Sequence, residues 1–164
     1  RSTLNSIKKC FASVLAIILV FSFFPFPQAQ ASEISTSTPT TIEEDLGNGI
    51  TAVSTIEILP DLARNSTKRA ISTSNFYNNG VWIGTVSLQA TFSYNSITAG
   101  VVSTDYSTNL ASGWSYKNHK ITTTTVSSSN GGTATLTATL KKFPLNVAVR
   151  LSLHCSPDGT ITRG

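Results

Sequence analysis

The sequence predicts an all-β protein: an antiparallel β-sandwich of six to eight strands behind an N-terminal signal peptide. Over residues 81–94 (VWIGTVSLQATFSY) apolar side chains alternate with hydroxyl side chains, which places Trp82, Phe92 and Tyr94 on one apolar face. Residues 145–155 (LNVAVRLSLHC) alternate in the same way. Strands with one apolar face must be covered, which favours two packed sheets. An immunoglobulin-like sandwich is the preferred form, and a small β-barrel is the alternative.

The first 31 residues are organised as a secretory signal peptide. Arg1, Lys8 and Lys9 form a positive segment, residues 11–24 form an apolar run, and Ala29 and Ala31 supply a small-x-small cleavage site. The apolar run is shorter than the roughly 20 residues of a membrane-spanning helix. The protein is therefore predicted to be secreted and to meet the membrane only through this leader. An uncleaved signal anchor is the alternative.

The charge of the chain is divided along its length. Residues 1–31 hold three of the 12 Lys and Arg residues and none of the 8 Asp and Glu residues, so the remainder has nine bases, eight acids and a net charge of +1. A nucleic-acid partner is not expected, because phosphate binding needs clustered bases. Within that remainder, residues 32–63 carry six acids and no base, whereas residues 64–164 carry nine bases and two acids.

Residues 32–74 are predicted to be a flexible acidic segment or linker, and residues 75–164 the β-domain. The opening SEISTSTPTT is rich in Ser and Thr, TIEE at 41–44 fits a short capped helix, and residues 50–59 fit either a strand or a short helix. Lys68 and Arg69 lie at the boundary between the acidic and basic halves and form a candidate processing site. The alternative is an uncleaved, solvated linker.

Turn signals divide the β-domain into strands. Asn130-Gly131-Gly132 is the clearest hairpin signal, because these residues tolerate the positive φ of a tight turn. The predicted order is a turn at 78–80, the strand 81–94, a turn at 95–96, a strand over 97–106 with a bulge at Gly100, a loop over 107–118 with a short strand at 114–116, strands over 121–128, 133–140 and 145–155, a turn at 157–159 and an edge strand at 160–162.

Three segments resemble a recurring type of small exported β-domain protein of Gram-positive, Firmicutes-like bacteria, a family of unknown function. They are NFYNNGVWIGTVSLQATFSYN, SSSNGGTATLTATLKK and VAVRLSLHCSPDGTIT, and they span about residues 75–162. The resemblance implies export and a single β-domain, and it carries over no catalytic or binding residue. That family has a second cysteine near the position of Ala99-Gly100-Val101, which this chain lacks. Cys155 is thus the one thiol outside the leader, and its place in the alternation predicts that it faces the core.

The residues do not predict an enzyme, a metal site or a cofactor. His154 and Cys155 are adjacent in a strand and so point to opposite faces. A Ser-His-acid triad lacks a G-x-S-x-G elbow, and the β-domain holds only the acids Asp105 and Asp158. Asp158 lies in a Pro-Asp-Gly turn, which accounts for its presence.

The aromatic residues near the centre of the chain supply the candidate ligand site. Trp114 and Tyr116, with Tyr106 upstream, are the candidate exposed platform for a sugar or a peptide, whereas packing in the core or anchoring of a loop is the favoured interpretation of Trp114. Two functions follow. The first is a non-enzymatic binding or cell-surface module that contacts an envelope polymer, a glycan or another protein. The second is a secreted effector or antimicrobial protein whose acidic pro-segment is cleaved after Arg69.

Overall fold

The structure is a computed structural model that describes residues 39–59, 66–124 and 128–164. The predicted signal peptide, with Ala29 and Ala31, lies outside these ranges. The described residues form nine strands and no helix, and accordingly none of them belongs to a helix able to cross a membrane. The strands are β1 (Thr40–Gly47), β2 (Ile50–Leu59), β3 (Thr67–Asn78), β4 (Val81–Tyr94), β5 (Ala99–Leu110), β6 (Ser115–Thr123), β7 (Gly132–Lys142), β8 (Leu145–Cys155) and β9 (Ile161–Arg163).

The strands form two antiparallel sheets, which confirms the predicted sandwich. One sheet has five strands in the order β1-β2-β3-β4-β5, and the other has four in the order β6-β7-β8-β9. Each strand pairs with its neighbour in sequence, so both sheets are meanders. The immunoglobulin topology instead carries Greek-key connections. The connectivity therefore differs from the immunoglobulin-like form, and nine strands replace the expected six to eight.

The core lies between the two sheets and is built by the alternation that the sequence shows. Val86, Leu88, Ala90 and Phe92 of β4 are fully buried. They pack in one core cluster with apolar residues of the other sheet. These include Leu136, paired with Leu151, and Leu140, paired with Val147, on β7 and β8. Burying a Leu, Val or Phe side chain contributes about 1.5–3 kcal/mol each. These two rows therefore hold the sheets together.

The predicted linker over residues 32–74 is wrong for residues 40–59 and 67–74, which are strands of the five-stranded sheet. The proposed TIEE helix is also wrong, because these residues pair with β2 instead. Asn48 and Gly49 have φ of 54° and 74°, the geometry of a two-residue hairpin turn. That turn returns the chain into β2, whose Ile50 and Ala52 are buried in the core.

The strand pairs shift register at four places, and the two shifts that involve β4 bear on the predicted alternation. Ile83 is the extra residue between the pairs Phe76–Gly84 and Tyr77–Trp82, and it is buried in the core. Trp82 consequently leaves the core face, which corrects its predicted place beside Phe92. The bulge expected at Gly100 lies two residues further along β5. Phe92 pairs with Val101 and Thr91 with Ser103, so Val102 is the extra residue. The predicted loop over 107–118 is mostly strand, because β5 continues to Leu110 and β6 begins at Ser115.

Candidate functional site

Three chain reversals meet at one end of the sandwich and enclose a groove. They are the β3–β4 hairpin at Asn79-Gly80, the connection from β5 to β6, and the β7–β8 hairpin at Phe143-Pro144. Asn79 and Gly80 have φ of 48° and 79°, which is the two-residue turn favoured by the twist of a hairpin. We call this cavity of about 590 Å³ the tryptophan groove; it is lined by Asn78, Asn79, Val81, Trp82, Ile83, Ala111, Ser112, Trp114, Lys142, Phe143 and Leu145.

Both tryptophans of the chain line this groove, although 32 positions separate them in sequence. The Trp82 indole N–H donates a hydrogen bond to Thr85 Oγ1 at 3.2 Å, and the Thr85 hydroxyl donates to Asn75 Oδ1 at 2.6 Å. Trp114 is half-buried against the core, and its backbone N–H donates to the carbonyl of Ala111 at 3.1 Å. Both rings are thus held in place by the fold while they keep one side towards the groove.

The rim of the groove is apolar and open to solvent. The side chain of Phe143 is 90% exposed and that of Val81 is 68% exposed. Lone exposed apolar residues are common, but a cluster beside a cavity is typical of binding surfaces. The polar groups at the rim are the amides of Asn78 and Asn79 and the ammonium of Lys142. The groove therefore combines flat apolar surfaces with a few hydrogen-bonding groups, the usual chemistry of small-ligand sites.

The structure divides the predicted aromatic platform into two places. Trp114 lies in the tryptophan groove, whereas Tyr106 and Tyr116 stack with each other. Tyr116 also stacks with His119, and the Tyr106 ring is tilted against it; His119 was not predicted from the sequence to take part. The Tyr116 ring centroid is 5.8 Å from that of Tyr106 and 5.5 Å from that of His119, and Tyr106 Oη lies 3.1 Å from His119 Nε2. Burial, and secondarily the nearby Tyr106, raises the pKa of Tyr116 to about 12.

This Tyr-His-Tyr cluster lies where the last strand of one sheet meets the first strand of the other. On the same side of the molecule, Ala99 and Ser128 exchange two backbone hydrogen bonds of 3.0 and 2.9 Å, and the Val101 N–H donates to the carbonyl of Thr124 at 2.9 Å. The two sheets are therefore bonded to each other along the β5–β6 side. We assign the tyrosine cluster to this closure rather than to ligand binding.

The candidate processing residues lie inside the five-stranded sheet. Arg69 is paired with Leu59 on β2 and with Thr91 on β4. The Lys68 ammonium donates to the carbonyl of Gly159 at 2.8 Å and lies 5.4 Å from the centre of the Tyr94 ring. A protease needs an extended, unpaired substrate, so in the folded chain this site is protected on both sides. Processing after Arg69 stays a prediction from the sequence.

The titratable groups of β8 and the following turn have structural partners. Cys155 is fully buried, as its alternation predicts, and burial raises the pKa of its thiol. His154 points to the opposite face, where its Nδ1 lies 2.9 Å from Thr133 Oγ1. The Asp158 carboxylate accepts hydrogen bonds from the Ser156 hydroxyl and the Thr160 N–H, which lower its pKa from 3.8 to about 2. Within the described ranges, no three His, Cys, Asp or Glu residues cluster in a way that would hold a metal ion.

No protein-family model, curated protein or solved structure matches this chain. The resemblance to exported Gram-positive proteins stays a prediction.

Proposed function

We propose that the protein is a secreted, non-enzymatic binding module and that its tryptophan groove binds a glycan of the cell envelope. The observation that carries the proposal is that both tryptophans of the chain line one groove beside a phenylalanine that is 90% exposed. Export is supported by the signal-peptide pattern of residues 1–31.

The chemistry of the groove suits a sugar ring. One face of a pyranose presents C–H groups, which pack against the electron-rich face of an aromatic ring. The hydroxyl groups at the sugar's edge need donors and acceptors, and the amides of Asn78 and Asn79 supply both. Lys142 adds a donor at the rim. Since Trp82 and Trp114 are anchored by the fold, little side-chain freedom is lost on binding.

The test is a titration of the intrinsic tryptophan fluorescence of the protein with chito-oligosaccharides and with a muramidase digest of Gram-positive peptidoglycan. We expect a saturable shift in emission, because a sugar in the groove displaces water from both indoles. Phe143→Ala should weaken binding about tenfold, which corresponds to the loss of an aromatic contact of about 1.4 kcal/mol. It should leave the stability unchanged, because the ring is exposed.

Ile97→Ala is the matched control, since Ile97 is 73% exposed in the β4–β5 connection, outside the groove. It should bind like the parent protein. The glycan proposal is wrong if neither probe changes the emission, or if Ile97→Ala and Phe143→Ala weaken binding equally.

A secreted effector released by cleavage after Arg69 is the second proposal. The division of charge between residues 32–63 and 64–164 supports it, whereas the pairing of Arg69 on both sides opposes it. N-terminal sequencing of the secreted protein decides between them: a chain that starts at Ala70 supports the effector, and one that starts at Ser32 excludes it.

A further inference from the structure

The side of the sandwich opposite the tyrosine cluster is bordered by two strand edges. β9 pairs with β8 only at Leu153–Cys155, so residues 145–151 of β8 have no strand partner on that side within the described ranges. β1, at the edge of the other sheet, pairs with β2 alone. We call the slot between β1 and residues 145–151 the seam. Two cavities, of about 290 and 250 Å³, lie along it, and a third of about 270 Å³ lies beyond it between β1 and β9.

The backbone of β8 presents hydrogen-bonding groups to the seam. The Gly164 N–H donates to the carbonyl of Ser152 at 3.2 Å, so the backbone N–H and C=O of Ser152 point away from β7, although its hydroxyl bonds to β7. In an antiparallel ladder, alternate residues point the same way. The backbone N–H and C=O groups of Ala148 and Arg150 therefore also face the seam. No strand among the described residues forms hydrogen bonds with them there.

The side chains that border the seam are apolar on one wall and basic on the other. Leu46 of β1 is 40% exposed and borders the seam, whereas Ile42, 39% exposed, lies beyond it beside β9. Glu44 accepts a hydrogen bond from Arg163 at 2.9 Å, and this ion pair neutralises both residues. The exposed Arg150 has no acidic partner among the described residues. Glu43 and Asp45 flank Glu44 on β1 and therefore point to the opposite face, and neither lines the cavities of the seam. The uncompensated charge among the residues that line these cavities is therefore the positive charge of Arg150.

We propose that the seam binds an extended peptide segment of about seven residues as an added β-strand, with an acidic side chain opposite Arg150. Main-chain hydrogen bonds to an open strand edge provide the affinity of such binding, and alternate side chains provide the specificity. An apolar side chain of the peptide covers Leu46, and its carboxylate supplies the negative charge opposite Arg150. This site shares only Leu145 with the tryptophan groove and does not depend on the glycan proposal.

The experiment measures fluorescence anisotropy of two labelled peptides with the full chain. Each has seven residues, alternating Val and Thr, with either Glu or Lys at the centre. The Glu peptide should bind at least about tenfold more tightly than the Lys peptide. Arg150→Glu should reverse this preference, whereas Lys120→Glu, a charge reversal at an exposed position of β6, should leave it unchanged.

Ala148→Pro tests the backbone contribution. Proline removes the N–H that faces the seam and leaves the ladder bonds to β7, since edge strands tolerate proline. Binding of the Glu peptide should fall about tenfold with circular dichroism unchanged. If this variant does not fold, the reversed peptide preference expected of Arg150→Glu still tests the proposal. The proposal is overturned if neither peptide binds below about 1 mM, if both bind equally, or if folded Ala148→Pro binds like the parent.

Discussion

Substitution of Gly132 by alanine tests how closely the two sheets approach each other. Gly132 begins β7, and a Cβ at this position would lie 2.7 Å from the Cα and 2.8 Å from the carbonyl carbon of Gly100 on β5. Backbone atoms of a paired strand cannot rotate away as a side chain can. We therefore expect Gly132→Ala to separate the sheets locally, at the overpacking cost of about 1–3 kcal/mol.

Gly84→Ala is the matched control. Its Cβ would also meet a neighbour at 2.7 Å, but that atom is Cδ2 of Leu110, the end of a flexible and only partly buried side chain. Neither glycine has a positive φ, so both substitutions gain the same entropy from a less flexible unfolded chain, about 0.4–1 kcal/mol. The Cβ of Gly84→Ala would also lie 3.3 Å from the backbone oxygen of Asn109, a looser contact than those below 3 Å at Gly132. The difference between the two variants therefore reports mainly the clash with the Gly100 backbone.

Thermal and urea unfolding of both variants measure this difference. Gly132→Ala should unfold about 3–15 °C below Gly84→Ala, since 1 kcal/mol shifts the Tm of a domain of this size by roughly 3–5 °C. Equal midpoints for the two variants, or a more stable Gly132→Ala, would refute the inferred close contact between β5 and β7.

Three further predictions concern single groups. Cys155 should react with iodoacetamide only after unfolding, because burial both shields the thiol and raises its pKa; modification of the native protein, seen by peptide mass spectrometry, would contradict this. Trypsin should release no fragment that begins at Arg69 or Ala70 until urea unfolds β3, because Arg69 is paired on both sides; such a fragment under native conditions would instead support processing there. The lowered pKa of Asp158 means that its carboxylate contributes stability above pH 3.8, which is lost as the pH falls towards 2. Asp158→Asn should therefore show a smaller fall in unfolding midpoint over that range, and an unchanged pH dependence would count against the turn hydrogen bonds.

The strands that could be predicted are those whose local pattern agrees with their environment. In β4, β7 and β8, apolar and polar residues alternate because one face packs against the core, and the turns at 78–80 and 157–159 contain glycine at the positive φ that they require. The burial of Cys155 followed from the same alternation. In these segments, sequence and tertiary structure impose the same requirement.

The errors fall where pairing with a neighbouring strand decides the conformation. β1 is exposed along its whole length and carries three acids, so its own residues give little sign of a strand; it forms because β2 offers an edge. Trp82 follows the alternation of β4 in the sequence, but the bulge at Ile83 turns it to the outer face. A bulge arises from the register of two strands, which one strand's pattern does not contain.

The sequence by itself determined that this protein is an all-β chain with two apolar sheet faces and a buried thiol. Apolar residues at every second position of a strand all lie on one face, and that face must be buried. Only the tertiary structure decided which strands pair. Their pairing brings Trp82, Trp114 and Phe143 into one groove, and it places Tyr106, Tyr116 and His119 together on the β5–β6 side. The three residues of the groove are brought together by three separate chain reversals. Their proximity depends on the relative placement of the two sheets, which local periodicity does not encode.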